Sequence, residues 1–189
     1  MWACLYFALS RIPALGNRLR VVILITIFTL LVVVLSAAPP ENLFVSFKTP
    51  ENAFRYAYNG SIEGVLSGRD SSMVIFETNQ GVSSCVFPRT RNGYKLSSIF
   101  SVNKRTQRNL NGAPQLLQVH HVRKTNDYYI VVAFYLARTE VEVFDESDNR
   151  LDFDIIRSTS SGQIIYIYVE GLTDGAYMLV EDKRIPLFW

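Results

Sequence analysis

Residues 21 to 38 form an uncharged run of eighteen, thirteen of them Val, Ile, Leu or Phe, with Arg18 and Arg20 before it and Pro39 and Pro40 after it. Such a run has few structural options. As a helix it covers about 27 Å, close to the ~30 Å hydrocarbon core of a bilayer. In lipid its backbone amides must be bonded within the segment, and a helix is the only single-segment way to do that. The sequence therefore predicts a transmembrane helix over residues 21 to 38, with Thr26, Thr29 and Ser36 taking back little of the gain from the apolar side chains.

Arg11, Arg18 and Arg20 precede the run, and residues 1 to 40 contain no Asp or Glu. The positive-inside rule then places residues 1 to 20 in the cytoplasm and residues 41 to 189 outside, as a single-pass signal-anchor protein of the cell membrane. A cleaved signal peptide is the alternative, since Ser36, Ala37 and Ala38 are the small residues a peptidase accepts, although Pro39 spoils a cut after Ala38 and the run is long for a signal. Cleavage would make the product a secreted protein. No Cys follows the run, as a bacterial lipoprotein requires, and no Glu opens it, as in pilin-like helices.

Residues 2 to 9 are apolar but too short to span, so Trp2, Tyr6 and Phe7 are expected at headgroup level, with Cys4 as a thiol open to acylation. Cys4 and Cys85 fall on opposite sides of the membrane and cannot pair within one chain. Alternation in the 82 to 87 segment puts Cys85 beside Phe87, as a small buried hydrophobe.

Past the membrane, residues 41 to 103 read as a small α+β part, one helix on an antiparallel sheet. Thr49 is placed to cap a helix, Pro50 and Glu51 suit its first turn, Ala53, Phe54, Ala57 and Tyr58 share a face, and Asn59-Gly60 supplies a left-handed stop. Strands are predicted over 72 to 78, 82 to 87 and 94 to 102, with an earlier one over 61 to 66 interrupted at Gly64. Residues 104 to 114 are polar, contain Asn111-Gly112 and end in Pro114, the composition of a linker, although one long loop within a single domain would read the same way.

Residues 115 to 189 are strand-like almost throughout and contain no helix pattern. Strands are predicted over 116 to 124, 128 to 136, 140 to 143, 151 to 155, 163 to 170 and 176 to 181, with residues 130 to 134 apolar on both faces, as in a covered central strand. That spacing suits a β-sandwich. Leu172, Gly175, Tyr177 and Leu179 resemble the L-x-x-G-x-Y-x-L ending of immunoglobulin-like and fibronectin-like modules, including those similar to the carboxypeptidase regulatory domain. The resemblance implies a Tyr anchoring a corner between two sheets, and a binding or spacing module rather than a catalyst. The closing 187 to 189 segment, Leu187-Phe188-Trp189, fits either a last edge strand or an interfacial contact.

Candidate chemistry is sparse. His120 and His121 are the only histidines and, adjacent on a strand, point to opposite faces, so one metal cannot use both without a bulge. Cys85 with His120 or His121 as base would make an envelope thiol enzyme. The sortases, which are anchored β-barrels, resemble the chain in layout, but residues 82 to 85 lack their Thr-Leu-x-Thr-Cys motif. The acidic stretch from Asp145 to Asp152 lacks the Gly and Glu of an EF-hand loop, with Arg150 and Ile156 in those places. No phosphate loop or dinucleotide fingerprint occurs. No catalytic, cofactor or metal residue is therefore assigned.

Charge divides along the chain. Residues 41 to 113 hold nine Lys or Arg against five acids, and residues 114 to 189 hold seven against twelve, so the halves carry +4 and −5. The basic half suits an anionic surface such as lipid headgroups or an envelope polymer, unless the halves simply dock on one another. The compartment disfavours nucleic acid. Asn59-Gly60-Ser61 is a glycosylation acceptor in a eukaryotic secretory route. The expectation is a membrane-anchored, extracytoplasmic β-rich protein that binds or positions a protein or anionic polymer partner without catalysis.

Overall fold

The computed structural model describes residues 17–37, 39–79, 81–108, 116–134, 141–151, 154–159, 162–180 and 183–187. It divides into two units, Met1–Pro40 and Glu41–Trp189.

In the first unit, helix α1 spans Asn17–Ala37. Its Val, Ile and Leu side chains stand largely exposed, Ile25 at 60 % and Leu30 at 66 %. Thr26 and Thr29 donate their hydroxyls to the carbonyls of Val22 and Ile25, both at 2.9 Å, so these polar groups are satisfied within the helix. Among the described residues no helix is long and apolar enough to cross a membrane. The continuous apolar side chains described are those of residues 21 to 33, which cover about 20 Å along a helix. The fold by itself does not carry the expected crossing. Trp2, Cys4, Tyr6 and Phe7 lie outside the described residues.

The second unit is mainly β. After a 3-10 turn at Pro40–Leu43, helix α2 covers Pro50–Ala57, and Thr49 caps it by accepting from the Asn52 amide at 3.3 Å. The helix ends differently from expectation. Tyr58 takes an extended backbone and sends its N–H to Phe54, because its ring is drawn against Phe54, Phe76 and Phe87, and no left-handed Gly60 stop is needed.

Three antiparallel sheets follow. The first is β1 (Ser61–Ser67), β2 (Ser71–Thr78), β3 (Gly81–Thr90) and β4 (Gly93–Tyr94), in chain order. Its register shifts between Ile62 and Gly64, the interruption predicted at that glycine. The middle sheet comprises β5 (Val102–Arg108), β6 (Leu116–Val122), β7 (Asp127–Phe134), β10 (Ile155–Thr159) and β11 (Gly162–Glu170), in the order β10-β11-β7-β6-β5. The third is β13 (Lys183–Pro186), β12 (Tyr177–Val180), β8 (Val141–Phe144) and β9 (Arg150–Leu151), in that order.

Period-two alternation stacks these into layers. Ala53 and Phe54 of α2 pack on Val74, Phe76 and Phe87 of the first sheet. The opposite face of that sheet, Leu66, Met73, Ile75 and Val86, packs on Val122, Tyr129, Val131 and Tyr166 of the middle sheet. The far face of the middle sheet, Leu117, Val119, Ile130, Val132, Ile165 and Ile167, packs on Val143, Met178, Val180 and Ile185 of the third. The order is helix, sheet, sheet, sheet. Both faces of β7 are covered, as its apolar run predicts.

Four sequence-based boundaries differ in the structure. The expected strand over 94 to 102 is broken, because Leu96 turns into the helix-side core and Ser98 and Ser101 close a turn through their hydroxyls before β5 begins. The expected linker at 104 to 114 begins inside β5. Lys104 and Arg105 pair with β6 at the sheet edge, where backbone bonding needs no apolar side chains and charge guards the edge. Residues 109 to 114 lie outside the described residues. The core that joins Leu66 and Met73 to Tyr129 and Tyr166 runs across the boundary proposed between the 41 to 103 and 115 to 189 parts. Lastly, residues 151 to 155 are divided, Leu151 ending β9 in the third sheet and Ile155 opening β10 in the middle one.

Candidate functional site

The residues that sequence singles out for chemistry do not meet. Cys85 lies in β3 on the side facing α2. His120 shares a face of β6 with Val122, which looks toward the first sheet, and His121 lies on the opposite face with Leu117 and Val119. The first sheet therefore stands between Cys85 and His120, and the middle sheet adds to the separation from His121. Burial also pushes the Cys85 thiol up to about 12, the reverse of activation. His120 is buried, and that burial, with Lys104 paired across from it, lowers it to about 4. Its Nε2 lies 3.4 Å from Oε1 of Gln118. His121 stacks flat on Tyr128, ring centroids 4.3 Å apart, and donates from Nε2 to the Thr125 carbonyl at 3.1 Å. Both imidazoles serve packing.

The acidic stretch is a turn. The Asp145 carboxylate accepts the amides of Ser147 and Asn149 and the Asn149 side chain, each at 2.8 Å, and the Asn149 side-chain bond leads in holding its pKa below the ordinary carboxylate value. Asp152 lies outside the described residues. Among the described residues no group of three His, Cys, Asp or Glu side chains is placed to hold a metal. Tyr177, expected at a corner between sheets, lies on the outer face of the third sheet. Met178 and Val180 point inward beside it, while its hydroxyl donates to Asp148 at 2.8 Å, Phe144 stacks on its ring, and the Arg184 guanidinium sits 3.6 Å from the ring centroid. Asn59 is exposed.

Two features escape the sequence. The first is a buried polar clasp where the β1–β2 turn meets β7 and β11. Asp127 and Ser71 are both fully buried. The Asp127 carboxylate accepts from the Asp70 amide at 2.8 Å, the Ser71 hydroxyl at 2.5 Å and the Tyr168 hydroxyl at 2.9 Å. Ser71 spends its proton on Asp127, so the Tyr129 hydroxyl donates to Ser71 at 2.9 Å. Burial raises the Tyr129 pKa. A buried carboxylate is costly unless its lone pairs are met, and here each oxygen has a donor. A Cβ on Gly68 would fall 2.6 Å from the Tyr129 hydroxyl and 2.8 Å from Asp127, so only glycine admits this approach. The polar groups of the clasp satisfy one another around the buried Ser71, Asp127 and Tyr129, which makes it a fastening between sheets. Its partners come from three separate strands, and the Thr125-Asn126-Asp127 loop alone gives no sign of it.

The second is a set of exposed apolar side chains, Leu43, Phe44, Ile99 and Phe100. No spacing rule joins two pairs so far apart in the chain.

No protein family, curated protein or solved structure matches this chain. The immunoglobulin-like resemblance accordingly rests on Leu172, Gly175, Tyr177 and Leu179 alone.

Proposed function

We propose that this chain is a single-pass membrane protein whose residues 41 to 189 lie outside the cytoplasm and bind or position a partner without catalysis. The observation that carries the reading is the apolar surface of α1, whose Val, Ile, Leu and Phe side chains face outward while its two threonine hydroxyls bond back to the helix. A helix of that kind suits lipid better than water. The sequence continues the apolar run for five residues beyond the described side chains, to Ala38. Arginines on the N-terminal side and the absence of acids through residue 40 support the orientation.

A binding or scaffold role is supported by the separation of Cys85 from both histidines and by the covered faces of the middle sheet, which leave its side chains to packing. Alkaline carbonate and external protease test the topology. The intact chain is expected to stay with the membrane pellet, and trypsin added to sealed spheroplasts is expected to digest the part beyond residue 41. Release by carbonate, or full protection from trypsin, overturns the reading.

A further inference from the structure

Beyond Pro40, four large apolar side chains stand out in adjacent pairs. Leu43 is 75 % exposed, Phe44 87 %, Ile99 62 % and Phe100 54 %. They are held there by structure. The Asn42 side chain takes both backbone bonds of Leu96, accepting its N–H at 2.7 Å and donating to its carbonyl at 2.8 Å. Lys95 Nζ donates to the carbonyls of Asn42 and Val45 at 2.8 and 2.7 Å. The amides of Phe44 and Val45 return to the Glu41 carbonyl. The segments carrying the two pairs are thus fastened to one another, and the serine-closed turn of Ser98 and Ser101 presents the second pair.

Positive charge borders that turn. The Ser101 carbonyl accepts the Arg123 amide at 2.8 Å, which brings the exposed Arg123 and Lys124 of the β6–β7 turn alongside Ile99 and Phe100. Of the acids on adjoining segments, Glu41 is half-buried, Asp127 is buried and Glu170 is paired with Arg69 at 2.8 Å, while Asp70 is exposed. Chain length adds a constraint. Leu43 follows Ala38 by five residues, which even fully extended reach at most about 18 Å. With residues 21 to 38 in a bilayer, Leu43 and Phe44 are held within reach of its headgroups.

We propose that this end of the β-rich region sits on the same bilayer, with Leu43, Phe44, Ile99 and Phe100 in the interfacial layer and Arg123 and Lys124 against anionic headgroups. The inference rests on the anchor reading and adds a second, lateral contact to it. Aromatic and aliphatic side chains favour that depth, and basic residues beside them favour an anionic leaflet. The region would then be held down on the membrane instead of swinging on its tether.

The test places a nitroxide at Phe44→Cys, Phe100→Cys, Ile27→Cys or Asn79→Cys, each in the full chain carrying Cys4→Ser. The proteins are reconstituted in vesicles of phosphatidylcholine with phosphatidylglycerol. Collisions with oxygen, which concentrates in lipid, are compared with collisions with a water-soluble nickel chelate. The expected result is a severalfold higher oxygen-to-nickel ratio at positions 27, 44 and 100 than at 79, which lies in the turn at the other end of β2. A lipid signal at 27 with water signals at 44 and 100 overturns this inference and leaves the anchor standing. A water signal at 27 overturns both. Equal lipid signals at 44, 100 and 79 also defeat it, because no particular face is then selected. Phosphatidylcholine alone, or the Arg123→Glu/Lys124→Glu pair, is expected to make positions 44 and 100 shallower. Unchanged depth in both removes the role given to anionic headgroups.

Discussion

Ser71 and Asp127, 56 residues apart in the chain, share a 2.5 Å hydrogen bond between two fully buried side chains. That bond links the start of β2 in the first sheet to the start of β7 in the middle sheet. Asp127→Ala would strand the Ser71 hydroxyl, the Asp70 amide and the Tyr168 hydroxyl, and is expected to cost about 2–4 kcal/mol. Tyr168→Phe, which removes one donor and leaves the others, is expected to cost about 1 kcal/mol. Urea unfolding of the two variants checks the ranking. Equal and small losses would mean that the clasp contributes little.

Gly68 tests the same junction through shape. Its nearest neighbour for an added Cβ is the Tyr129 hydroxyl at 2.6 Å. Gly68→Ala is expected to destabilise by about 1–3 kcal/mol through overpacking. In the Gly68→Ala/Tyr129→Phe double variant, part of that loss should return, since the colliding oxygen is gone. A double-mutant cycle reads the coupling directly, and strict additivity would rule out the proposed collision.

For Cys85, burial and a thiol pKa of about 12 predict silence toward alkylating reagents in the native protein. At neutral pH the thiolate fraction is on the order of 10⁻⁵. Mass spectrometry after iodoacetamide treatment should find Cys85 modified only when denaturant is present. Rapid native modification would restore the thiol-enzyme alternative.

His120 gives the protein a dependence on acidity. Its folded pKa of about 4 lies below the unfolded value, so the unfolded chain takes up a proton first as pH falls. The neutral imidazole's contribution is whole above about pH 6.5 and declines between that value and about pH 4, by on the order of 3 kcal/mol. His120→Gln should flatten the stability profile across that window relative to the parent. Parallel profiles would show that the imidazole does not carry the effect.

Much of the fold follows from local pattern. Thr49-Pro50-Glu51 starts α2, Gly64 marks the irregularity in β1, and the doubly apolar 130 to 134 segment falls in a strand covered on both sides. Misreadings occur where partners from elsewhere decide. Lys104 and Arg105 carry a linker's composition, yet β6 supplies them with a backbone ladder. Tyr58 ends its helix because three phenylalanines receive its ring, while the neighbouring Asn59-Gly60 advertises a different stop. The alternative that pairs Cys85 with a histidine loses its geometry for the same reason, since strand alternation fixes the side a residue faces and sheet stacking decides what lies there. Asp127 shows the limit most clearly, because its hydrogen-bonding partners other than Thr125 come from distant parts of the chain.

The order of strands in the middle sheet bears on how the nascent polypeptide must be handled. During synthesis β6 and β7 emerge before β11, yet β11 is the strand that completes the other flank of β7. Until it arrives, β7 presents an unpaired apolar flank of the kind to which a stray strand adds. A cell making this protein has an interval to guard, during which a holdase that masks the segment would raise the yield of correctly folded chains.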